Sequence, residues 1–324
     1  MTFTEEIKNR VLSGEEISAE TALALYNEPL EEVCSMANEI RKHFCANAFD
    51  ICTIINGKSG KCSENCKFCA QSSRHHTSAM EYPLLSAKEI TEHAKHNYAQ
   101  GVLRYSIVTS GKALSDKEVD EACAAIKQIR EEVGISVCVS FGLLNELQYS
   151  KIKAAGATRV HNNLETSRRN FPNICTTHTY DDKINAIKAA QSAGLTVCSG
   201  GIMGLPEETP QDRIDMAITI RSLGIKSVPV NILSPIKGTP FEKSATLTAE
   251  EIRRIVAVYR FILPDASIRL AGGRGLLEDK GEACFTSGAN AAISGDMLTT
   301  SGITVETDMK LIKKLGFEAK ICNE

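Results

Sequence analysis

Three cysteines close together in the first quarter of the chain have the type and spacing of metal-cluster ligands. Cys62, Cys66 and Cys69 form a C-x3-C-x2-C pattern. Thiolates are the usual ligands of iron–sulfur clusters, and three of them on a short loop can hold three irons of a cubane [4Fe–4S] cluster. The fourth iron would then be open to a substrate or cofactor. The pattern therefore predicts a redox-active cluster with one exchangeable position.

A structural zinc site is the main alternative for this loop. Such sites usually have four protein ligands in two pairs. Here no fourth ligand is adjacent, although His75 and His76 follow closely. The chain has 12 cysteines, and in a reducing compartment many cysteines favour metal binding or catalysis over disulfides. Zinc is the weaker interpretation of the loop, and three unrelated surface cysteines are weaker still.

The composition predicts a cytoplasmic protein without a nucleic-acid or membrane partner. The first 16 residues are polar and acidic, with no positively charged segment followed by an apolar one, so they do not resemble a secretory signal. No apolar run approaches the length needed to span a bilayer. The formal net charge is −3 and the pI is near 6.2. No broad basic field is therefore available for nucleic acid or an anionic membrane.

Short β-rich runs alternate with longer amphipathic runs along most of the chain. Eight β/α units in series indicate a parallel sheet covered by helices, and they permit closure into a (β/α)8 barrel. An open doubly wound sheet is the alternative. The predicted strands are 51–56, 103–109, 136–141, 159–163, 196–200, 227–233, 267–271 and 291–294. The predicted helices are 87–100, 116–133, 145–155, 180–193, 209–223, 249–262, 275–287 and 307–315.

Two further helices, 17–26 and 30–44, are predicted before the first strand. The organisation is therefore an N-terminal helical extension over residues 1–46 and a TIM-type (β/α)8 barrel domain over residues 47–324. The cysteine loop follows the first strand, at the end of the barrel where active sites of this fold lie. The glycines at 200, 201 and 204 match a dinucleotide-binding motif only weakly, and we expect no such cofactor.

The cysteine loop, with Phe68 directly before its last cysteine, resembles the motif of the radical S-adenosylmethionine superfamily. Other stretches resemble the biotin synthase family within it, and together they run from about Asn27 to Phe317, nearly the whole chain. The stretches that carry the resemblance are 56–73, 161–167, 197–202, 228–231, 237–240, 268–270 and 273–274.

The resemblance implies a sulfurtransferase that inserts sulfur into dethiobiotin to form biotin. Cys62, Cys66 and Cys69 would hold a [4Fe–4S] cluster that reduces S-adenosylmethionine, whose amino and carboxylate groups chelate the open iron. The resulting 5′-deoxyadenosyl radical would abstract hydrogen from the substrate, and an auxiliary iron–sulfur cluster would donate sulfur. The protein would supply positioning and exclusion of water. The resemblance also implies a flavodoxin or ferredoxin as electron donor, and a homodimer.

The same resemblance assigns contacts to the two small molecules. Phe68 matches the aromatic residue that lies against the adenine, and a packed loop residue is the alternative. Asn163 and Glu165 match the pair that hydrogen-bonds the ribose hydroxyls, with Glu165 where the family often has aspartate. Asn231 matches a contact to the ureido ring of dethiobiotin, a group that an amide can bind through both its donor and its acceptor. A purely structural amide is the alternative. His161 stands where another contact to that ring is usually asparagine.

The auxiliary cluster is where this sequence departs from the family pattern. Cys138, Cys198 and Arg269 match three of the four [2Fe–2S] ligands in the better-known form. The fourth position is Ser106, and serine is a poorer iron ligand than a thiolate. Cys52 in the first strand offers a replacement, because inward-facing strand positions of a barrel share one interior. We therefore predict a four-iron cluster held by Cys52, Cys138 and Cys198. A buried, unreactive thiol is the alternative for Cys52.

Three points stay open from the sequence. Another radical enzyme with the same barrel, such as a methylornithine-forming mutase or a hydrogenase-maturation protein, is one rival function, and a non-catalytic cluster-binding sensor or scaffold is the other. Arg269 in an apolar strand needs an anionic partner or a cluster, because a buried unpaired guanidinium is costly. The remaining cysteines are expected not to be ligands, and Cys45 is the least certain of them.

Overall fold

Five helices begin with a reciprocal cap in the computed structural model, which describes residues 1–323. In each, the N-cap side chain accepts a hydrogen bond from the third helical N–H, and that third residue accepts one from the N-cap backbone. The caps satisfy backbone donors that have no partner inside the helix, so they fix the residue at which each helix begins. The pairs are Ser86 and Glu89, Ser115 and Glu118, Asn145 and Gln148, Thr179 and Asp182, and Thr209 and Asp212.

Helices and strands alternate after three N-terminal helices. The helices are α1 (Phe3–Leu12), α2 (Ala19–Tyr26), α3 (Leu30–Cys45), α4 (Ala87–Ala99), α5 (Asp116–Glu132), α6 (Glu146–Ala155), α7 (Phe171–Ile174), α8 (Tyr180–Ser192), α9 (Pro210–Ser222), α10 (Ala249–Ile262), α11 (Glu282–Phe285) and α12 (Val305–Lys314). The strands are β1 (Ala48–Lys58), β2 (Arg104–Thr109), β3 (Ser136–Ser140), β4 (Arg159–His161), β5 (Thr196–Cys198), β6 (Gly201–Met203), β7 (Ser227–Ile232), β8 (Ser267–Leu270), β9 (Ala291–Ser294) and β10 (Glu318–Ala319).

The strands form a closed, parallel barrel. Their order is β1-β2-β3-β4-β5-β7-β8-β9, and β9 pairs with β1 to close the ring. β6 continues the segment of β5 and pairs with β7, while β10 pairs with the start of β1. The predicted (β/α)8 barrel is therefore confirmed, and the open doubly wound alternative is excluded by the pairing of β9 with β1.

Alternation along each strand separates an apolar outer layer from a polar interior. On β3, Val137 and Val139 are buried in the apolar core. Cys138 and Ser140, the residues between and after them, line an internal cavity instead. Successive side chains of a strand point to opposite faces, so the apolar residues pack under the helices and the others face the barrel axis.

The predicted elements differ from the structure at several places, and the short elements α7 and β10 were not predicted. The helix predicted over 275–287 is wrong: a short 3-10 turn, Arg274–Leu276, is followed by the four-residue α11. Gly281 has a φ of +88° there, which a helix interior does not accept. The predicted fifth strand is divided into β5 and β6. Helix α1 was missed, although Thr2 caps it by accepting from the Glu5 N–H.

The N-terminal helices pack against helices of the barrel. α3 contacts α10, and α2 contacts α9 and α10. Arg213 of α9 donates to the hydroxyl of Tyr26 at 2.6 Å and to Glu251 of α10 at 2.6 Å. The division into residues 1–46 and 47–324 stays a prediction, and its last residue, Glu324, lies outside the described part. No helix within residues 1–323 has the length and apolarity to cross a membrane.

Two glycines between β5 and β6 allow the backbone to pass close to its neighbours. A Cβ on Gly200 would lie 1.9 Å from the carbonyl oxygen of Pro229 on β7. A Cβ on Gly201 would lie 2.3 Å from the carbonyl oxygen of Glu165. Neither space admits a side chain. These glycines therefore allow the strands and the loop to approach one another closely. This role of glycine is unrelated to dinucleotide binding.

We expect Gly200→Ala to lower the free energy of unfolding by about 1–3 kcal/mol or more, because the added methyl group must displace the β7 backbone. Gly275→Ala is the matched control. Its added Cβ would meet nothing within 4 Å, so its effect should be under about 0.5 kcal/mol. Urea unfolding of both variants under anaerobic, reducing conditions measures the difference. Equal stability of the two variants would contradict the close approach.

Candidate active site

A cavity of about 410 Å³ lies within the barrel. Its wall runs from strand residues that face the barrel axis to the loops that follow the strands. The structure brings all twelve predicted site residues to this one cavity, including Cys52 and Arg269, which are 217 positions apart. These residues are Cys52, Cys62, Cys66, Phe68, Cys69, Cys138, His161, Asn163, Glu165, Cys198, Asn231 and Arg269.

The cysteine loop is fixed by backbone hydrogen bonds. The N–H of Cys62 donates to the carbonyl of Gln71 at 3.1 Å, and the N–H of Ser73 donates to the carbonyl of Cys62 at 2.8 Å. The N–H of Lys67 donates to the carbonyl of Ile174 at 2.9 Å, which ties the loop to the end of α7. These backbone hydrogen bonds therefore fix the shape of the cysteine loop at the rim of the cavity.

The three loop thiols are half-buried and close enough to influence one another. Burial, together with the charge of Cys62, raises the pKa of Cys69 to about 11. A hydrogen bond with Cys175 and burial raise the pKa of Cys66, and the charge of Cys69 adds to the shift. Soft thiolates that converge on one cavity are suitable iron ligands. The residues present therefore fit a [4Fe–4S] cluster, which Cys62, Cys66 and Cys69 would hold.

The histidines proposed for a zinc alternative do not join these thiols. His75 Nε2 lies 3.1 Å from the carbonyl oxygen of Cys66, so this ring supports the loop backbone. His76 is exposed, and neither histidine lines the cavity. The structure therefore gives no support to zinc held by the loop cysteines with His75 or His76.

A second set of thiols lies deeper, on the strands. Cys52 on β1, Cys138 on β3 and Cys198 on β5 are each at most 5% exposed. Burial raises the pKa of both Cys52 and Cys138, the charge of Cys198 adds to both shifts, and all three thiols line the same cavity. Arg269 of β8 donates from Nη1 to the sulfur of Cys52 at 3.2 Å.

Asp50 of β1 is a carboxylate shared by three buried arginines. Its Oδ1 lies 3.1 Å from Nη2 of Arg269, and its Oδ2 lies 3.6 Å from both Arg104 and Arg159. Burial opposes ionisation, but the three guanidinium groups hold the pKa of Asp50 below its usual range. Because Arg159 and Arg269 alone outnumber this carboxylate, the site favours further negative charge, as thiolates or an anionic cluster would supply.

The guanidinium of Arg269 could also donate to a further acceptor in the cavity. Its Nη1 donates to the carbonyls of Asp50 at 2.8 Å and Ala292 at 3.1 Å. Its buried Nη2 is ion-paired with Asp50 Oδ1 at 3.1 Å but has hydrogen-bond geometry to no residue in the described range. A further acceptor in the cavity, such as a cluster sulfide, could take an N–H of this group, so the deep site also fits an iron–sulfur group.

Cys198 is set apart from the other deep thiols by its neighbours. Burial opposes its ionisation, but a hydrogen bond with His161 and the charges of His161 and Arg269 lower its pKa to about 6. Ser227 also donates from Oγ to its sulfur at 3.2 Å. Cys198 is therefore the deep cysteine most easily present as a thiolate, and His161, predicted as a substrate contact, lies beside this sulfur.

Asn163 and Glu165 lie together after β4. The N–H of Gly200 donates to Asn163 Oδ1 at 3.1 Å, and Asn163 Nδ2 donates to Glu165 Oε2 at 3.3 Å. Glu165 has a φ of +73° and its backbone pairs with Gly201. The close approach at Gly201 thus presents the two side chains side by side on the cavity wall.

Asn231 of β7 is held at both ends of its amide. Its Nδ2 donates to the carbonyl of Gly201 at 3.0 Å, and its Oδ1 accepts from the N–H of Gly272 at 2.9 Å. A primary amide has two N–H donors and two acceptor lone pairs. One donor and one acceptor therefore remain for a molecule in the cavity, so the structural and binding interpretations are compatible.

Ser106 and Cys45 differ sharply in position. Ser106 is buried on β2, is paired in register with Cys138 and lines the cavity. Burial raises the pKa of the Cys138 thiol to about 12, although a hydrogen bond with Ser106 opposes this shift. Cys45 does not line the cavity, and its sulfur lies 3.5 Å from Nη1 of Arg260. Ser106 is thus placed near the deep thiols, whereas Cys45 is not.

Sequence reasoning missed two groups of residues at this site. Asp50, Arg104 and Arg159 are ionisable residues in otherwise apolar strands, and that contrast was an available signal. Lys183 of α8 also lines the cavity, with Nζ 3.4 Å from Oδ1 of Asn162. An ammonium group on the cavity wall can bind a carboxylate. The position of Lys183 in an amphipathic helix did not indicate this role from the sequence.

Comparison with known families agrees with the cysteine loop and the barrel. The model of the radical SAM superfamily matches residues 58–220. The model of the Biotin and Thiamin Synthesis associated domain matches residues 229–318. Fold and site thus define a radical S-adenosylmethionine enzyme, a class whose cofactors are a [4Fe–4S] cluster and S-adenosylmethionine.

Full-length relatives specify the family further. The chain is 59% identical to the biotin synthase of Brachyspira hyodysenteriae, over 98% of the chain and 95% of the relative. It is 57% identical to that of Akkermansia muciniphila (99% and 100%) and 54% identical to one of Clostridium botulinum (98% and 100%). The chain therefore belongs to the biotin synthase family.

Solved structures with the same fold include two of the rival enzymes. Methylornithine synthase matches with a TM-score of 0.83 at 19% identity, covering 97% of each chain. HydG, a maturase of the [FeFe]-hydrogenase, matches with a TM-score of 0.84 at 18% identity, covering 99% of this chain and 76% of HydG. At these identities the likeness shows a shared barrel and does not indicate a shared substrate.

We expect Asp50→Ala to lower the free energy of unfolding by about 3–5 kcal/mol, because it leaves buried arginines without their carboxylate. Glu306→Ala is the control, since it removes a carboxylate from the exposed pair with Lys310 and should change stability little. Chemical denaturation of the cluster-free chain compares the two. If Asp50→Ala were as stable as Glu306→Ala, the arginines would not depend on Asp50.

Proposed function

We propose that this chain catalyses the insertion of sulfur into dethiobiotin to form biotin, in a radical reaction that consumes S-adenosylmethionine. One observation carries the proposal: a single cavity has three thiols at its rim and three more deep in its wall. A cluster that cleaves a cofactor and a cluster that donates sulfur need two separate sets of ligands around one substrate. The family relationship supports the same reaction.

The rim thiols Cys62, Cys66 and Cys69 are proposed to hold the [4Fe–4S] cluster. When bound, this cluster supplies the electron that cleaves S-adenosylmethionine into a hydrogen-abstracting radical. The chain itself positions the cofactor: Phe68 offers an aromatic face to the adenine, and Asn163 with Glu165 offers hydrogen bonds to the ribose hydroxyls.

Two further side chains are assigned to the small molecules. The ammonium of Lys183 on the wall would pair with the carboxylate of the methionine moiety. The free donor and acceptor of Asn231 would bind the ureido group of dethiobiotin. His161, which hydrogen-bonds to Cys198, acts on that thiolate in this proposal, and a contact to the ureido ring is secondary.

The deep thiols Cys52, Cys138 and Cys198 are proposed to hold the auxiliary cluster, with Arg269 beside it. Ser106 occupies the cavity next to Cys138 but offers only a hydroxyl. Cys52 provides the third thiolate, and Arg269 approaches its sulfur at 3.2 Å. We favour a four-iron cluster with a sulfide as extra ligand over a [2Fe–2S] cluster. The better-known form takes one cluster ligand from the second strand, at the position of Ser106, whereas here Cys52 of the first strand would replace it and change the shape of the ligand set.

The electron donor and the oligomeric state stay predictions. A flavodoxin or ferredoxin would have to approach the rim that carries the Cys62–Cys69 loop. Lys61 and Arg74 are exposed near these cysteines and would attract an acidic donor. A homodimer is expected from the family resemblance alone.

Incubation with dethiobiotin, S-adenosylmethionine and a reductant should yield biotin and 5′-deoxyadenosine. We expect Cys62→Ala to abolish both products, since the cofactor is no longer cleaved. We expect Cys198→Ala to retain 5′-deoxyadenosine formation and lose biotin, because only the sulfur donor is affected. Chromatography with mass detection measures both, and Cys123→Ala, which removes a buried thiol of α5 outside the cavity, is the control.

Two results would favour the rivals. Production of 5′-deoxyadenosine without biotin by the intact protein would indicate another radical enzyme with this barrel. Absence of both products from a fully loaded protein would indicate a sensor or scaffold. Biotin formation by Cys198→Ala at the unmodified rate would contradict the assignment of the deep thiols.

The nuclearity of the auxiliary cluster is tested by iron quantitation and Mössbauer spectroscopy on anaerobically purified protein. Two four-iron clusters give roughly eight irons per chain, and a [4Fe–4S] with a [2Fe–2S] cluster gives roughly six. Cys52→Ala should remove the auxiliary signal and leave the rim cluster. Cys45→Ala, a thiol outside the cavity, should change neither. A [2Fe–2S] spectrum that Cys52→Ala does not affect would contradict the four-iron proposal.

A further inference from the structure

A third group of metal-ligating side chains lies behind the cysteine loop. Cys175 Sγ is 3.7 Å from Cys66 Sγ, and it is 3.3 Å and 3.9 Å from Nδ1 and Nε2 of His178. The ligand atoms of these three residues all lie within 4.8 Å of one another. Within residues 1–323, no other trio of cysteine, histidine or carboxylate ligands converges in this way.

The segment after α7 is fastened to the cysteine loop, which places these groups together. Asn65 Oδ1 accepts from the N–H of Thr176 at 2.9 Å and from the N–H of Thr177 at 3.3 Å. The N–H of Asn65 donates to Thr177 Oγ1 at 3.1 Å. Together with the backbone bond from the N–H of Lys67 to the carbonyl of Ile174 at 2.9 Å, these contacts hold Cys175 beside Cys66.

Glu64 orients the histidine. His178 Nδ1 lies 2.6 Å from Glu64 Oε2, and the hydroxyl of Thr177 donates to the same oxygen at 2.8 Å. A histidine whose Nδ1–H donates to a carboxylate presents Nε2 as a neutral lone pair, which is the usual arrangement behind a metal-binding histidine. His178 is thus oriented for ligation through Nε2, which lies 3.9 Å from the sulfur of Cys175.

We propose that the cluster-free protein binds a thiophilic divalent cation of the zinc class through Cys66, Cys175 and His178. With Zn–S near 2.3 Å and Zn–N near 2.0–2.1 Å, tetrahedral geometry separates two sulfurs by about 3.8 Å and a sulfur from a nitrogen by about 3.6 Å. The 3.7 Å between the two sulfurs and the 3.9 Å between Cys175 Sγ and His178 Nε2 are close to these values. Both thiols release their protons on binding, and the fourth position is left to water from the cavity that Cys66 and His178 line.

The ion site and the rim cluster exclude each other, because both use Cys66. This consequence rests on the proposed function, which assigns Cys66 to the cluster, whereas the ion site itself does not. A thiolate and imidazole site binds zinc more tightly than ferrous iron. Zinc bound here would therefore block assembly of the [4Fe–4S] cluster until it is removed.

The test is a titration of the full-length, iron-free, reduced protein with Co²⁺, a spectroscopic substitute for zinc. We expect a single equivalent to give thiolate-to-cobalt charge-transfer and tetrahedral d–d absorption, both lost on adding Zn²⁺. Cys175→Ala should lose these bands. Cys175→Ser, which keeps the packing, should lose them too. Glu64→Gln should weaken Co²⁺ binding roughly 10- to 100-fold.

Two variants distinguish this site from an ion held by the cysteine loop alone. Cys62→Ala and Cys69→Ala should keep the bands, since neither sulfur belongs to the trio. Retention of the bands in Cys175→Ser with unchanged far-ultraviolet circular dichroism would overturn the proposal. So would loss of the bands in Cys62→Ala or Cys69→Ala as complete as in Cys175→Ser.

Cluster assembly separates this proposal from the proposed function. Zinc-loaded protein should fail to assemble the rim cluster, and Cys175→Ser should assemble it in the presence of zinc. Cobalt bands that follow the expected variant pattern support the ion site regardless of cluster assembly. Undiminished cluster assembly in zinc-loaded protein would then count against Cys66 as a cluster ligand.

Discussion

The buried carboxylate of Asp50 is the charge on which the interior of the barrel depends. It lies on β1 and is reached by arginines from β2, β4 and β8, so one side chain connects distant parts of the ring. Buried guanidinium groups are costly without a counter-charge. The charge of Arg269 also lowers the pKa of Cys198, and its Nη1 contacts Cys52. The deep thiols therefore take their electrostatic environment from the same network.

The two thiol sets are carried by different kinds of structure. Cys62, Cys66 and Cys69 lie on a loop at the rim, where an electron donor and a cofactor can reach them. Cys52 and Cys198 lie on strands, whose positions are set by pairing on both sides. Loops that are held by a rigid scaffold adapt to ligands, while strands hold ligands in fixed geometry. The barrel thus separates the accessible site from the protected one along its axis.

Much of the fold could be predicted, because strand and helix periodicities are local properties of the sequence. The eight strands followed from that alternation, which permitted closure, whereas the closure itself is given by the pairing of β9 with β1. The segment 275–287 did not, since its apolar spacing resembles a helix while Gly281 requires a left-handed backbone. The split between β5 and β6 depends on how closely Pro229 and Glu165 approach, which is a tertiary contact that no local pattern reveals.

The candidate site was predictable where a motif or strand parity carried it. Parity placed Cys52 and Cys138 on the interior side. The contacts of Asp50 depend on the stagger of neighbouring strands, and spacing along the chain does not give that stagger. Cys66 and Cys175 are 109 positions apart and meet only because two loops are fastened together. Such pairs could not be found without the structure.

The closure of the barrel has a consequence for the protein before it is complete. β1 is paired on one side by β2, but its other edge is covered only by β9 and β10, which come late in the chain. An uncovered strand edge is a template for pairing with other molecules. Asp50 lies within that edge, so until the arginines of β2, β4 and β8 are in place a foreign strand added there would bury a carboxylate without its counter-charges. The charge that later organises the cavity thereby also disfavours strand addition to the unfinished chain.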